Sequence, residues 1–389
     1  ITNLLNLPGD DQTNDPLIPE KLATPKNDLD AQAITKLMTK RRGRPSPETI
    51  EQLGGSDATE RAIGSALEWL ARNQEGDGRW DMRKHGANGD FDTAGAGLAL
   101  LCFYGWGETH NTAGKYQANV KRALEWLLKQ QKEDGDLRGG GRMYCHGIAA
   151  IALCEAYGFT KDPKLKEPAE RAIALIVASQ SPSKGGWRYN PANAKGKPSD
   201  DSDLSVTAWQ YMALHSARLA GLEVSDEPFI EAQKYMTSVS SGTHGGLYAY
   251  TGGGPNPAMT ASGMFCRQLD LVPPTDPRMA EGAEYLGRHK FNNNPDYYYV
   301  YYATLALYQH QGPVWKEWND KLKDTFPRIQ NKIGNNRGSW DPGGRHANAG
   351  GRVVSTTLSV LSLEVYYRLL PMYGFRGASD LPDAKKRGQ

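Results

Sequence analysis

The segment Ala66-Leu-Glu-Trp-Leu-Ala-Arg-Asn-Gln74, followed by Gly78 and Trp80, returns as Ala123-Leu-Glu-Trp-Leu-Leu-Lys-Gln-Gln131, followed by Gly135. A third copy with altered letters, Ala172-Ile-Ala-Leu-Ile-Val-Ala-Ser-Gln180, runs on to Gly185, Gly186 and Trp187. A period of about fifty residues with apolar letters at helical spacing makes each unit a helical hairpin that cannot bury its own apolar face. Neighbouring units must cover it. After each such helix comes a glycine turn, then a second helix that is small or apolar on nearly every side, as in Thr93-Ala-Gly-Ala-Gly-Leu-Ala-Leu-Leu and His146-Gly-Ile-Ala-Ala-Ile-Ala-Leu. A helix without a polar face is a buried helix.

Six outer helices are read near residues 58–74, 115–131, 164–180, 227–240, 277–289 and 315–333. Their six buried partners start near Thr93, His146, Ser205, Met259, Tyr298 and Ser355. Such a stack forms an open solenoid or a closed ring. The ring is expected, because six pairs fill one turn of a double-walled barrel and neither terminal unit is recoloured as a polar cap. The predicted fold is therefore an all-α, α6-α6 toroid over residues 57–373, with the inner-helix ends around a central cavity. A polar linker or strap (1–56) precedes it and a polar tail (374–389) follows.

The pattern Gln74-x-x-x-Gly78-x-Trp80 resembles the Gln-Trp repeat motif of squalene and oxidosqualene cyclases. The six hairpins resemble the toroid that these enzymes share with protein prenyltransferase β subunits. With Leu363-Glu-Val-Tyr-Tyr-Arg-Leu-Leu-Pro-Met-Tyr373, the chain looks most like squalene cyclase-like repeat proteins of planctomycete bacteria. The motif varies along the chain. Leu137 stands in the second copy where tryptophan is expected, Gln180 lies one residue further from Trp187, and Gly338-Ser-Trp340 is read as keeping only the turn. Fold follows from such a resemblance more firmly than function, which has to come from the site.

A net charge of +2 over 389 residues gives no electrostatic case for nucleic acid. No apolar run approaches the roughly 20 residues that span a bilayer. Prolines 16, 19, 25, 45 and 47 interrupt the polar N-terminal stretch, which also carries a basic knot of Lys40, Arg41, Arg42 and Arg44. Because the sequence starts at Ile1, an export signal or membrane anchor removed upstream is kept open, and the compartment is unassigned. Cys102, Cys145, Cys154 and Cys266 fall in or beside apolar helices without disulfide or zinc-finger spacing, so they are read as core. The Asp-x-Cys zinc pair of prenyltransferases is missing, and Gly140 occupies the place of their diphosphate-binding histidine. Neither a metal nor a cofactor is assigned.

The polar groups of interest precede inner helices. Asp90-Phe-Asp92-Thr93-Ala94 and Asp200-Asp201-Ser-Asp203-Leu-Ser205 each resemble, incompletely, the Asp-x-Asp-Asp-Thr-Ala motif of class II terpene cyclases. There the middle aspartate protonates an alkene or epoxide, which needs a carboxylic acid kept protonated in a dry pocket. Registered on Thr93 and Ala94, the first copy has Phe91 at the acid; registered on its Asp-x-Asp, the second puts Asp203 there and Leu204 at the supporting aspartate. The resemblance thus makes Asp203 the candidate acid, with Asp201, Asp92 and His146 as companions. The competing reading is helix capping for the aspartates and an interior hydrogen-bonded role for His146.

The aromatic run Asp296-Tyr-Tyr-Tyr-Val-Tyr-Tyr302 supplies Tyr298, Tyr301 and Tyr302 as candidate cavity-lining, substrate-binding residues, with Trp209 beside them. Glycine turns at 139–141, 242–254 and 343–351 suggest one loop-rich face; the second is not a phosphate loop, since the Lys-Ser/Thr ending and a preceding strand are missing. Three functions stay open: an isoprenoid enzyme using Asp203, a protein- or glycan-binding module, and a glycan-cleaving barrel with paired carboxyls. An isoprenoid needs a deep apolar pocket, a glycan an open polar groove. The many Ala, Gly, Ser and Thr letters of the inner helices predict a narrow cavity of mixed polarity.

Overall fold

A computed structural model of the chain describes residues 47–192, 200–344 and 347–368. The basic knot, most of the proposed strap and the C-terminal tail lie outside those residues. After a short helix, α1 (Pro47–Gln52), the described chain runs through six hairpins. These pair α2 (Asp57–Arg72) with α3 (Asp92–Gly105), α4 (Gln117–Gln130) with α5 (Met143–Thr160), and α6 (Pro163–Ala178) with α7 (Leu204–Leu219). The second half pairs α8 (Glu227–Ser238) with α9 (Pro257–Leu269), α10 (Pro277–Arg288) with α11 (Tyr297–His310), and α12 (Gly312–Ile329) with α13 (Ala347–Leu363). A one-turn helix, α14 (Val365–Arg368), ends the described chain. The strands among the described residues are Ser240–Ser241 and Leu247–Tyr248, a two-residue antiparallel clip in the fourth turn.

Local sequence sets the helix starts. Ser56 and Thr59 form a capping box at α2. Asp162 and Asp276 accept from the first backbone N–H groups of α6 and α10, each with a proline opening the helix. The first member of each hairpin buries one face, whereas α3, α5 and α11 are buried almost all round. Two concentric layers follow, and the second members form the inner wall. The last inner helix begins at Ala347, ahead of the expected Ser355, because a kink at Gly351 joins an extra turn. That glycine has φ +59°, and a Cβ there would lie 2.3 Å from the His85 carbonyl oxygen.

A glutamine closes four of the six joints, and a tryptophan backs three of those. Gln74 Nε2 donates to the carbonyls of Gly78 and of Asn119 on the next outer helix, both at 2.9 Å, while Trp80 Nε1 donates back to Leu70. Gly78 lies so close to α4 that a Cβ would be 2.3 Å from the Arg122 carbonyl oxygen. Gln131 reaches Pro168 and Gln180 reaches Pro228 in the same way, with Trp187 donating to Ile176. The final unit corrects the sequence reading. Gln330, eight residues before Gly338, donates to Gly338 at 2.9 Å and to Ala62 of α2 at 2.8 Å, and Trp340 Nε1 donates to Phe326. The sixth joint is therefore complete, and its neighbour is the first unit. The ring is closed, with Cys102 of α3 donating to Thr357 of α13 across the same seam.

Candidate functional site

The inner helices start at the face that carries the long glycine turns and run to the opposite end. Between these ends the bore is filled. Trp209 of α7 stacks on Tyr301 of α11 with centroids 5.7 Å apart and planes 9° from parallel. These are the third and fifth inner helices, so the contact crosses the ring interior. Tyr302 meets Trp209 edge-on at 5.6 Å and Tyr298 at 5.0 Å. Trp209, Tyr301 and Tyr302 are 2%, 1% and 0% exposed. Of the four residues expected to line a cavity, these three pack against one another and are buried. Tyr298 alone is partly exposed.

The far end is also shut. Arg368 donates to Glu155 Oε1 at 2.8 Å and to the Leu101 carbonyl at 2.9 Å, and both side chains are buried. Glu364 beside them is fully buried, neither oxygen accepts a hydrogen bond among the described residues, and desolvation pushes its carboxyl well above the usual range. Polar groups open to a ligand therefore lie at the loop face.

Asp203 is the centre of that face. It is the N-cap of α7: Oδ1 accepts from the Val206 N–H at 2.8 Å and from the Ser205 hydroxyl at 2.6 Å. Its own N–H donates to the Trp187 carbonyl, and the next N–H, of Leu204, donates to Tyr250. Two loops are thereby gathered over the helix start. Oδ2 accepts no hydrogen bond among the described residues, and Arg188 Nε lies 3.7 Å from it. Burial raises the Asp203 carboxyl above its ordinary value, against the pull of Ser205, Val206, Arg188 and Tyr250. The charge of Asp203 in turn helps burial to raise the phenols of Tyr144, Tyr235, Tyr250 and Tyr298. Four tyrosines thus surround one buried carboxyl.

Their hydroxyls are linked. Tyr144 pairs with the Ser205 hydroxyl, Tyr189 with Tyr250, and Tyr298 donates to the Ser205 carbonyl at 3.5 Å. Two guanidiniums lie on this cluster. Arg188 is 5.1 Å from the Tyr189 ring centroid and 5.4 Å from that of Tyr250, and Arg142 is 4.5 Å from Tyr189. Tyr144, Tyr189, Tyr250, Tyr298 and Arg188 are all partly exposed. The result is a shallow cup of ring faces, hydroxyls and guanidiniums over a buried acid.

The other aspartates and the histidine do not join it. Asp201 is exposed and 3.6 Å from Arg188, on the rim. Asp92 is not the helix cap that the capping reading makes it: Phe91 holds that position, and Asp92 accepts from Met82 N–H at 2.9 Å and from Arg79 at 2.5 Å, clamping the first turn. His146 lies a full turn inside α5, with Nδ1 accepting from Leu137 N–H at 3.1 Å and Nε2 donating to Ala172 of α6 at 2.9 Å. Both nitrogens face the outer wall. Thr207, Thr260 and Thr356 take the same helical position, and each accepts from the turn as His146 does. Sequence reading missed Arg188, Tyr189, Tyr144 and Tyr250. Their one signal was that Arg188 and Tyr189 directly follow Trp187, whose turn was already legible.

The four cysteines are buried and unpaired, and the described residues hold no group of three or more His, Cys, Asp or Glu able to bind a metal ion. No described helix is long and apolar enough to cross a membrane.

No family model matches the chain, and no curated protein matches it. Solved structures do. An inactive variant of an α-1,6-mannanase from Salegentibacter sp. HEL1_6, in complex with α-1,6-mannotriose, is similar at a TM-score of 0.56 and 10% identity, covering 80% of this chain and 99% of that one. The type II terpene cyclase MstE from Scytonema, in complex with its product merosterolic acid A, gives 0.52 and 14%, covering 80% and 98%. A novel α-amylase from Clostridium perfringens gives 0.56 and 10%, covering 78% and 97%. This chain is an α/α toroid, sharing its fold with terpene cyclases and glycan-acting enzymes alike.

Proposed function

We propose that the chain binds an oligosaccharide in the tyrosine cup on the loop face. One observation carries this reading: the bore is filled by Trp209, Tyr301 and Tyr302, so the ligand-facing surface is shallow and rich in hydroxyls and guanidiniums rather than deep and apolar. Sugars match such a surface, since their C–H faces stack on aromatic rings and their hydroxyls exchange hydrogen bonds with Tyr and Arg. Asp203 is buried and acts through its neighbours, positioning Arg188 and the hydroxyls around it.

A second reading rests on Asp203 itself. A dry, raised carboxyl at the acid position of a cyclase-like motif supports proton donation to an isoprenoid. Titration of the full chain with neutral and acidic oligosaccharides and with prenyl diphosphates separates the two. Sugar binding, together with a loss of at least about tenfold in Asp203→Asn at nearly unchanged stability, is expected, because the variant loses the carboxylate that positions Arg188 while asparagine caps the helix about as well as aspartate. Turnover of an isoprenoid that Asp203→Asn abolishes, without sugar binding, replaces the glycan reading by the second.

A further inference from the structure

Resting on the glycan reading above, we infer that the cup selects a sugar carrying one anionic group, a carboxylate or a sulfate ester, with Arg142 as its counter-ion. The pairing of charges on the loop face points there. Arg188 is answered by Asp201 and Asp203, Arg138 by Asp136 at 2.9 Å, Arg79 by Asp77 and Asp92, and Arg352 by Asp341 at 2.6 Å. The guanidinium of Arg142 has no acidic partner among the described residues; it rests on the ring of Tyr189. Two guanidiniums thus share one ring, and both aspartates lie against Arg188. The guanidinium of Arg142 is left open to an anion.

That charge is held rather than free to sweep solvent. Arg142 is the N-cap residue of α5, its carbonyl accepting from the Cys145 and His146 N–H groups, and Met143 N–H ties the same turn to the Tyr189 carbonyl at 3.0 Å. The glycine turn before it is drawn inward, where a Cβ on Gly141 would lie 2.4 Å from Cys145 Sγ, so the backbone delivers Arg142 to the rim. Beside it are polar atoms with unused capacity. Asp203 Oδ2, on a side chain with no exposure, and Arg188 NH1 both lack a hydrogen-bond partner among the described residues. An anionic group of a ligand answers the guanidinium of Arg142. Arg binds carboxylate and sulfate oxygens through paired N–H groups, which adds direction to the charge.

Calorimetric titration of the full chain with hexuronate oligomers and their methyl esters, and with a sulfated disaccharide and its unsulfated parent, tests this. At least one acidic ligand is expected to bind about tenfold more tightly than its neutral counterpart, less so as salt is added, and which pair responds identifies the anion. In Arg142→Gln the preference should shrink to within about twofold, while the melting temperature of this exposed-site variant stays close to the parent. Neutral ligands binding as tightly as acidic ones, or a preference that survives Arg142→Gln, overturns the assignment and leaves the glycan reading in place. No sugar binding of either kind removes the glycan reading and this selectivity with it.

Discussion

His146 joins two layers of the ring only while it is neutral. Leu137 N–H can only donate and the Ala172 carbonyl only accept, so the ring must accept at Nδ1 and carry its proton on Nε2. Burial lowers its pKa from 6.5 to about 4. A depressed pKa contributes stability that is full above the unfolded value and is lost as pH falls through the folded one. Urea unfolding followed from pH 7 down to pH 4 should therefore show a loss of about 3 kcal/mol attributable to this residue. His146→Gln should lack that part of the slope, and an identical pH profile in the variant would discard the account. Asp203, whose carboxyl is raised instead, has the opposite sign: its contribution is full below the ordinary carboxylate range and is lost as pH rises through its folded value.

Helices meet through joints, and the joint at the seam decides whether there is a ring. Gln330 is 4% exposed and donates to two carbonyls on opposite sides of the closure. Gln330→Ala strands both and should cost about 2–3 kcal/mol in urea unfolding, against about 1 kcal/mol for Gln74→Ala, where water can reach. Equal costs would show that the seam is no special joint. The fold was legible because Gln74, Gly78 and Trp80 lie within one turn of each other and recur. The last joint was not, because its turn is longer, which moved Gln330 out of the expected spacing. The cup was legible at Asp203 and Tyr298, with Asp201 on its rim. Arg188, Tyr189 and Tyr250 are turn residues without periodicity, and the stack of Trp209 on Tyr301 joins positions far apart in sequence that no helical pattern links.

At the scale of the molecule, the filled bore makes the toroid a solid body rather than a tube. Trp209→Ala should cost about 3–5 kcal/mol and leave an apolar void between α7 and α11. Such voids stay dry and take small aromatic guests, so indole should raise the melting temperature of the variant and not that of the parent. A variant of unchanged stability would mean that the stack contributes nothing to the interior.

The two ends of the described chain meet beneath this body. Asn319 donates to the Gly54 carbonyl at 2.9 Å and accepts from the Tyr366 hydroxyl, so one side chain bridges the entry to the first hairpin and the exit from the last. In a closed ring no hairpin is first. The order in which the six units are read is then set by where the backbone is cut, and the cut could be moved. A chain in which residues 54 and 366 are linked and new ends opened at another short connection on the same side, such as that between α5 and α6, would describe the same circle starting from another point.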